Sequence, residues 1–427
     1  MRSRRLSVSI GPSIDLHCGI HGSLIEHPPT GYHHVVRDAA HHFFRARHVR
    51  AFDPISNRHA AECVSLGGGD IAHSSRWPVV GHPRWVVEMD DLGYPLLFGR
   101  HGLQANFRAA FAQPWSPALG ADILRRARAM LGAYAHASCR RVVFRTQAAL
   151  ENAARITARI GLQREFAALL PKCVVIRPAA PAMPVAAAHA KWRAGGPLRV
   201  LFCGRDFHAK QGELALRVVR RLLKQGGNLR LIHVGDVPEE VRSEFADDRI
   251  EFAGELTPSA VKALMRNAHV LLHTSPAESV GMVFLEAAAA GIAVIGSAST
   301  QLPHLGELLD SRGFIAVDRS RGTARTHERD FVRALDSLLR DRTRARSLGL
   351  ANHAAARSGP TSLNARNHAW RAVYDAARRA PPEPPLTAAR IEELAGPRVR
   401  RIGSRRLSDL IERHLAASGC VGRNFHL

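Results

Sequence analysis

Three observations predict that this sequence forms an α/β protein of two domains, each built on a parallel sheet. Short apolar runs alternate with stretches of helical periodicity, which is the pattern of βαβ units. The alternation occurs on both sides of a stretch rich in proline and alanine at 178–197, which we interpret as a linker. The length of 427 residues is sufficient for two or three domains.

The region before this linker contains apolar runs that we interpret as strands and two longer stretches of helical periodicity. The predicted strands are 7–10, 70–75, 84–89, 141–146 and 173–178, and the predicted helices are 121–138 and 148–161. The glycine-rich GGGD at 67–70 either cradles a phosphate or forms a turn before the second of these strands.

The region after the linker alternates more regularly, and its apolar runs are typical of buried parallel strands. The predicted strands are 198–204, 229–235, 250–254, 269–275 and 292–297, and the predicted helices are 213–224, 259–267 and 283–290. A second proline-rich stretch, PPEPP, precedes a basic tail. We therefore predict an N-terminal domain at 1–190, a C-terminal domain at 197–380 and a basic tail at 381–427.

The composition is strongly basic, with 60 Lys and Arg against 37 Asp and Glu and a formal net charge of +23. This balance favours anionic partners such as nucleotides, nucleic acid or acidic lipid headgroups. The six cysteines form no C-x-x-C pair, and the 24 histidines show no metal-ligand spacing, so we expect no bound metal. Without a signal-peptide pattern or an apolar run long enough to span a bilayer, the sequence predicts a cytoplasmic protein.

The most informative stretch is HTSPAESVGMVFLEAAAAGIAVIGS at 273–297. Glu278 falls in the loop between a predicted strand and a predicted helix, and Glu286 falls one turn inside that helix. The backbone N–H groups at this helix N-terminus, an anion-binding position, belong to Ser279, Val280 and Gly281. Both glutamates could therefore face one ligand, or they could be solvated residues that flank a buried helix.

A second feature is GRDFHAK, in which Gly204 ends a predicted strand and Arg205 and Lys210 follow it. Cations at the carboxyl end of a parallel strand point into the ligand crevice of an open α/β sheet, where they can neutralise a diphosphate. The alternative is that both cations belong to a solvated basic loop.

With these motifs, the segment 198–297 resembles the nucleotide-binding domain of retaining GT-B glycosyltransferases of family 4, the glycosyl transferases group 1. The matching pieces are FCGRDFHAKQG, LIHVGD, IEFAGEL and TSPAESVGMVFLEAAAAGIAVIGS, the last being similar to the family pattern P-S-x-x-E-G-F-G-x-x-x-L-E-A-x-A-x-G-x-P-V. LNARNHAWRAVYDAA at 363–377 is similar to the closing helices of the family. The resemblance implies the GT-B fold, with two Rossmann-like domains facing each other across a cleft.

The resemblance also implies a role for each motif residue in binding a nucleotide-diphosphate sugar, the co-substrate. Arg205 and Lys210 would hold the diphosphate next to Gly204, Glu278 would contact hydroxyls of the transferred sugar, and Glu286 would accept hydrogen bonds from the ribose. The distal phosphate would bind the amides of Ser279, Val280 and Gly281. Enzymes of this kind usually need no divalent metal, because protein cations stabilise the departing diphosphate, so no cofactor is expected. Retention of anomeric configuration is likewise implied by the family.

The sequence departs from the family in its N-terminal half. Many relatives carry a histidine in a V-V-x-x-H-D segment, whereas VVEMDDLGYP places Asp90 at that position. Asp90 could contact a sugar hydroxyl or the developing positive charge, or it could cap a turn. The first glycine-rich turn of the family is also not cleanly present, and Gly19 and Gly22 are the nearest candidates.

These observations predict a glycosyltransferase that uses an unknown glycan, lipid or small-molecule acceptor. The alternatives are a sugar-nucleotide epimerase or phosphorylase, an inactive nucleotide-binding homologue, and a basic nucleic-acid-binding protein. Aromatic residues make up only 6% and no nucleic-acid module is present, so we expect no nucleic-acid partner. Basic and acidic residues are equally numerous in 197–300, so the basic excess lies elsewhere and fits an acidic acceptor or peripheral contact with an anionic inner membrane face. The arginine-rich tail either takes part in such contacts or is a solvated extension.

Overall fold

A computed structural model describes residues 5–37, 63–90, 92, 117–276, 278, 280–298 and 305–395. Contacts divide the chain into two compact units. The first unit takes its described residues from 1–16, 28–176 and 369–427, and the second consists of 17–27 and 177–368. No helix in these described ranges is long and apolar enough to cross a membrane.

Each unit contains one six-stranded sheet, and every pair of neighbouring strands is parallel. The first sheet has the order β2-β1-β3-β4-β5-β6 and the second the order β12-β11-β10-β7-β8-β9. The strands are β1 (Leu6–Gly11), β2 (Tyr32–Val36), β3 (Ile71–Ser75), β4 (Trp85–Met89), β5 (Cys139–Phe144), β6 (Cys173–Val175), β7 (Leu198–Cys203), β8 (Leu229–Val234), β9 (Ile250–Gly254), β10 (Val270–His273), β11 (Ala293–Ala298) and β12 (Phe314–Asp318).

Helices connect most of the consecutive strands, as the alternating sequence pattern predicts, whereas β3 and β4 are joined by residues 76–84 without a helix. In chain order, the described α-helices are α1 (Ile20–Glu26), α2 (Pro117–Ala135), α3 (Gln147–Arg159), α4 (Gln163–Leu169), α5 (Val185–Arg193), α6 (Gly212–Lys224), α7 (Glu239–Glu244), α8 (Pro258–Asn267), α9 (Met282–Ala289), α10 (Leu305–Leu308), α11 (Ala324–Arg340), α12 (Arg342–Ser358), α13 (Leu363–Arg379) and α14 (Ala388–Ala395).

The predicted class, α/β with two parallel sheets of the Rossmann type, is confirmed. Every predicted strand is present, with ends shifted by no more than three residues. The sequence reasoning missed β2 and β12, which are the edge strands beside β1 and β11. β2 (YHHVV) contains two histidines and is mostly half-buried, so it lacks the continuous apolar run of a central strand. β12 (FIAVD) begins with four apolar residues, but only Val317 among them is buried.

The stretch at 178–197 was predicted as a linker, and this prediction is wrong for its second half. That half forms α5, which is part of the second unit. The ammonium of Lys191 is buried, 2.6 Å from the carbonyl oxygen of Ala290, and the indole of Trp192 donates to Gly291. Burial lowers the pKa of Lys191 to about 7. An alanine-rich sequence can therefore pack as a helix when its few large side chains find buried partners.

The compact units divide the chain differently from the predicted boundaries at 190 and 380. The division falls inside α13, so the end of this helix belongs to the first unit. Leu386 and Ile391, from the start of the predicted tail, are fully buried in the core of that same unit. The remainder of the tail, from 396, lies outside the described residues.

The GGGD segment forms the turn before β3, at the amino end of the first sheet. Gly68 and Gly69 have φ values of +83° and +78°, a region that favours glycine. The carboxylate of Asp70 accepts a hydrogen bond from the backbone N–H of Ser7 on the neighbouring strand β1. The turn interpretation therefore describes this segment, because its carboxylate is used to hold two strands together.

Candidate functional site

The strand order of the second sheet determines where its ligand crevice lies. Counted along the chain, the six strands run 3-2-1-4-5-6, so the connections leave in opposite directions from β7 and β10. Open α/β sheets bind ligands outside the carboxyl ends of strands at such a switch point. Gly204 follows β7 directly and Thr274 follows β10 directly, and these positions begin the two predicted motif loops.

Glycines allow the loop after β7 to pack closely against its neighbours. A Cβ atom at Gly204 would lie 2.8 Å from Cγ of Lys210. Gly235 follows β8 with φ +127°, and a Cβ there would lie only 1.9 Å from the carbonyl oxygen of Gly204. Any side chain at these two positions would displace the Lys210 stem or the backbone that carries it.

The turn that presents Lys210 is held by local hydrogen bonds. Asp206 accepts from the backbone N–H of Ala209 at 2.9 Å, and Gln211 adopts the left-handed conformation with φ +53° just before α6. The Thr274 hydroxyl lies 2.8 Å from the Gln211 carbonyl and donates to it. The residue after β10 thus fixes the turn after β7, so both loops at the switch point form one structure.

Glu278 is the centre of this structure. Its Oε1 atom lies 2.5 Å from Nζ of Lys210 and 2.9 Å from Nε2 of His273. The side chain of Glu278 is 12% exposed and that of Lys210 is 28% exposed. Burial raises the pKa of the Glu278 carboxyl, but the His273 hydrogen bond and the Lys210 charge outweigh this effect and lower it to about 2. Glu278 is therefore ionised throughout the neutral range.

The helix that follows, α9, begins at Met282 and is preceded by Gly281. This residue caps the helix in the left-handed conformation with φ +71°, where a Cβ would press into the ring of Phe284. Val280 is buried. Ser279, the third predicted amide donor, lies outside the described residues. The Cβ position built on Gly281 lies 3.7 Å from Cγ of Glu278, so the Glu278 side chain packs beside the N-terminus of α9.

Glu286 lies one turn inside α9 and is half-buried. Burial raises the pKa of its carboxyl. A Cβ built on Gly19 would lie 3.4 Å from Oε1 of Glu286, within the second unit. A Cβ built on Gly22 would meet nothing within 4 Å. Of the two glycines proposed for the first turn, Gly19 is the one that lies beside a predicted site residue.

Arg205 is exposed on the loop after β7. Within the described residues, no hydrogen bond or ion pair involves its side chain. This guanidinium can therefore reach a ligand at the crevice without first breaking an ion pair. The described ranges also hold no group of three or more His, Cys, Asp or Glu residues suited to a metal ion. The expectation of metal independence stays a prediction.

Asp90 belongs to the first unit, after β4. Its carboxylate lies 3.5 Å from Nη1 of Arg145 and 3.8 Å from Nη2 of Arg76. Arg145 also contacts Glu88 through Nε at 3.0 Å. Asp90 is thus part of an ion-pair network, a setting that neither of the two sequence interpretations included. Its predicted role in catalysis stays a prediction.

Two residues of the site were missed by the sequence reasoning, His273 and Arg319. Arg319 follows β12 and donates through Nη1 to the Thr274 carbonyl at 2.8 Å. His273 could have been suspected because it is the first residue of the stretch at 273–297 and lies near the end of a predicted strand. Nothing in the local pattern marks Arg319, because its contact joins residues 45 positions apart.

Comparisons with known proteins agree with the placement of the motifs in the second unit. Residues 186–352 match the family model described as glycosyl transferases group 1. The phosphatidylinositol N-acetylglucosaminyltransferase gpi3 subunit of Schizosaccharomyces pombe is 29% identical over 150 residues, covering 34% of this chain and 31% of that protein. A phosphatidylinositol N-acetylglucosaminyltransferase component from Arabidopsis thaliana is 25% identical over 114 residues, 25% of this chain and 26% of that protein. The chain thus matches less than a third of the length of these curated relatives.

Among solved structures, HepE from Anabaena, in complex with UDP and glucose, is similar to most of the chain. The TM-score is 0.51 with 14% sequence identity, and the match covers 87% of this chain and 99% of that one. At this identity the likeness concerns the fold. It supports two Rossmann-like domains, and the predicted cleft between them stays a prediction.

Proposed function

We propose, since this chain carries a glycosyl transferases group 1 domain at residues 186–352, that it transfers a sugar from a nucleotide-diphosphate donor to an acceptor. The observation that carries the proposal is the convergence of Lys210 and the ionised Glu278 beside the N-terminus of α9, at the switch point between β7 and β10. This arrangement supplies positive charge for a diphosphate and an acceptor of hydrogen bonds for a sugar within one crevice.

The chemistry of glycosyl transfer suits these groups. The bond to the anomeric carbon breaks with oxocarbenium-like character while negative charge grows on the departing diphosphate. Lys210, the exposed Arg205 and the N–H groups at the start of α9 would stabilise that growing charge. Glu278 cannot act as a general acid near neutral pH because it is already ionised, so we assign it to binding sugar hydroxyls. Retention of configuration is part of this proposal and is supported by the family resemblance alone.

Two curated relatives suggest the first donor and acceptor to test. Both are named as phosphatidylinositol N-acetylglucosaminyltransferase components, and the HepE structure holds UDP. We therefore propose a UDP-linked sugar, with UDP-N-acetylglucosamine as the first candidate. The basic excess of the chain fits an acceptor with an anionic lipid headgroup, which would place the protein peripherally at a membrane surface.

A stepwise experiment tests the proposal. Melting curves of the purified chain with UDP, GDP and ADP, each in EDTA, should identify one nucleoside diphosphate that stabilises the fold. The matching nucleotide sugars should then release that diphosphate in the presence of a lipid acceptor. A chain that responds to none of the three nucleotides would contradict the proposed donor site, and binding without turnover on any acceptor would favour the non-catalytic alternative.

A further inference from the structure

His273 lies at the carboxyl end of β10, and its surroundings are unusual for a core histidine. The residue is 2% exposed and its ring packs edge-on against Phe284, with the ring centroids 4.4 Å apart. One nitrogen, Nε2, lies 2.9 Å from Oε1 of Glu278. The other, Nδ1, is buried without a hydrogen-bond partner in the part of the chain that the structure describes.

The direction of the hydrogen bond follows from the ionisation of Glu278. A carboxylate accepts hydrogen bonds and has no proton to donate, so Nε2 of His273 carries the proton. Phe284 restricts the ring from one side and the end of β10 fixes the backbone. His273 is therefore a rigid donor aimed at one oxygen of Glu278.

Lys210, the second donor to the same oxygen, has a different character. Its side chain is more than twice as exposed as that of Glu278, and it extends from a turn on the other motif loop. A diphosphate at this edge would compete with Glu278 for the single ammonium of Lys210. When Lys210 turns toward phosphate, Oε1 of Glu278 would lose one of its two partners in a nearly buried position, which costs free energy.

We infer that His273 is a positioning residue that keeps Glu278 oriented toward the donor sugar while Lys210 is engaged by the diphosphate. The inference rests on the proposed function, because it assigns Glu278 to the sugar and Lys210 to the phosphates. It predicts that the sugar and the nucleoside diphosphate are recognised by different residues of the site. Loss of His273 should weaken recognition of the sugar and leave recognition of the nucleoside diphosphate nearly intact.

Two substitutions separate hydrogen bonding from packing. His273→Leu keeps an apolar side chain against Phe284 and removes the donor. His273→Gln keeps an N–H donor close to the position of Nε2. If His273 served only as a core residue, packing alone would determine the effect of each variant on affinity. His273→Gln would then bind the nucleotide sugar no more tightly than His273→Leu.

The experiment compares the affinities of UDP and UDP-N-acetylglucosamine by titration calorimetry for the wild-type chain and its variants, with melting curves for each. We expect His273→Leu to lower the affinity for the nucleotide sugar at least tenfold and the affinity for UDP less than threefold. His273→Gln should keep both affinities within threefold of wild type. In a Glu278→Gln background, adding His273→Leu should cause no further loss, because the two residues act as a unit.

Other outcomes overturn the inference in distinguishable ways. Equal affinities of His273→Leu and wild type for the nucleotide sugar would show that Glu278 needs no help from His273. Parallel weakening of both ligands in both variants, with a lowered melting temperature, would show a purely structural role. A wild-type chain that binds neither ligand would overturn the proposed function itself and the inference with it.

Discussion

The carboxyl ends of the two sheets both carry clusters of charged residues, and the two clusters differ in burial and in pairing. In the second unit, Lys210 and Glu278 lie at the switch point and remain partly exposed. In the first unit, His73 within β3, Glu88 near the end of β4 and Arg145 just after β5 are each at most 3% exposed. Each side chain of the first cluster contacts a charged or polar protein group, whereas in the second cluster Arg205 is exposed and Lys210 is partly exposed.

The contacts of the first cluster show why it is stable without a ligand. His73 donates or accepts through Nδ1 with the Tyr374 hydroxyl at 2.8 Å, and its Nε2 lies 3.3 Å from Oε2 of Glu88. The indole of Trp370 packs on the His73 ring with centroids 4.5 Å apart. Charged residues at a strand end therefore indicate a ligand site only when some of them remain accessible and are not fully paired with other protein groups.

The largest effect that separates the two clusters should come from Arg145. In Arg145→Ala, the buried carboxylate of Glu88 and the mostly buried carboxylate of Asp90 lose the positive charge of Arg145. Breaking a buried ion pair in this way costs about 3–5 kcal/mol. Urea denaturation should therefore show a large loss of stability of the first unit.

Arg128→Ala is the matched control, because Arg128 forms an exposed ion pair with Glu165 in the same unit. It should change stability little, since exposed pairs contribute about 0–1 kcal/mol. If the two variants were equally stable, the first cluster would not be the structural network described above.

The opposite behaviour is expected at the second cluster. Lys210→Ala should reduce sugar transfer about 10²-fold or more, because it removes a preorganised donor from the departing diphosphate. The melting temperature should fall only slightly, since Lys210 is partly exposed and His273 still donates to the Glu278 carboxylate after Lys210 is removed. Arg205→Ala should act in the same direction, and transfer within threefold of wild type in both variants would refute the diphosphate site.

The smallest expected effect at neutral pH concerns His233, which lies in the core of the second unit between aromatic rings. It is fully buried, and both ring nitrogens are without a partner among the residues that the structure covers. The ring stacks on Phe202 with centroids 4.4 Å apart. His233→Phe should therefore stabilise this unit by about 1 kcal/mol at pH 7, because it removes an unsatisfied polar group.

The pH dependence of this variant gives a second readout. Burial lowers the pKa of His233 to about 4, against about 6.5 in the unfolded chain. The unfolded state therefore binds the proton first, and stability is lost as the pH falls from about 6.5 toward 4. The advantage of His233→Phe over wild type should grow over this window in denaturant titrations. A constant difference would contradict a neutral buried histidine.

The sequence was sufficient to predict the second sheet and the loops of its site, because parallel strands leave continuous apolar runs and the motif lies within one stretch of chain. It could not predict the first cluster. His73, Glu88 and Tyr374 come from distant segments and meet only when α13 returns to the first unit. Pair contacts of this kind leave no periodic signal.

The linker prediction failed for a related reason. Prolines and alanines at 178–197 suggested an extended segment, yet the hydrogen bonds that hold α5 join Lys191 and Trp192 to carbonyls about a hundred residues later. Composition reports local preference, and a tertiary contact can override it. His273 is likewise part of the quoted motif stretch, but its role depends on the orientation of its imidazole toward Glu278, which only the folded loop defines.

The most direct test of the donor site is the affinity of its nucleoside diphosphate, measured by calorimetry in EDTA on the wild-type chain and on Lys210→Ala. We predict binding by the wild-type chain without added metal and at least tenfold weaker binding by the variant, with similar melting temperatures for both proteins without ligand. Equal affinities of the two proteins would contradict the assignment of the β7 and β10 switch point as the donor site.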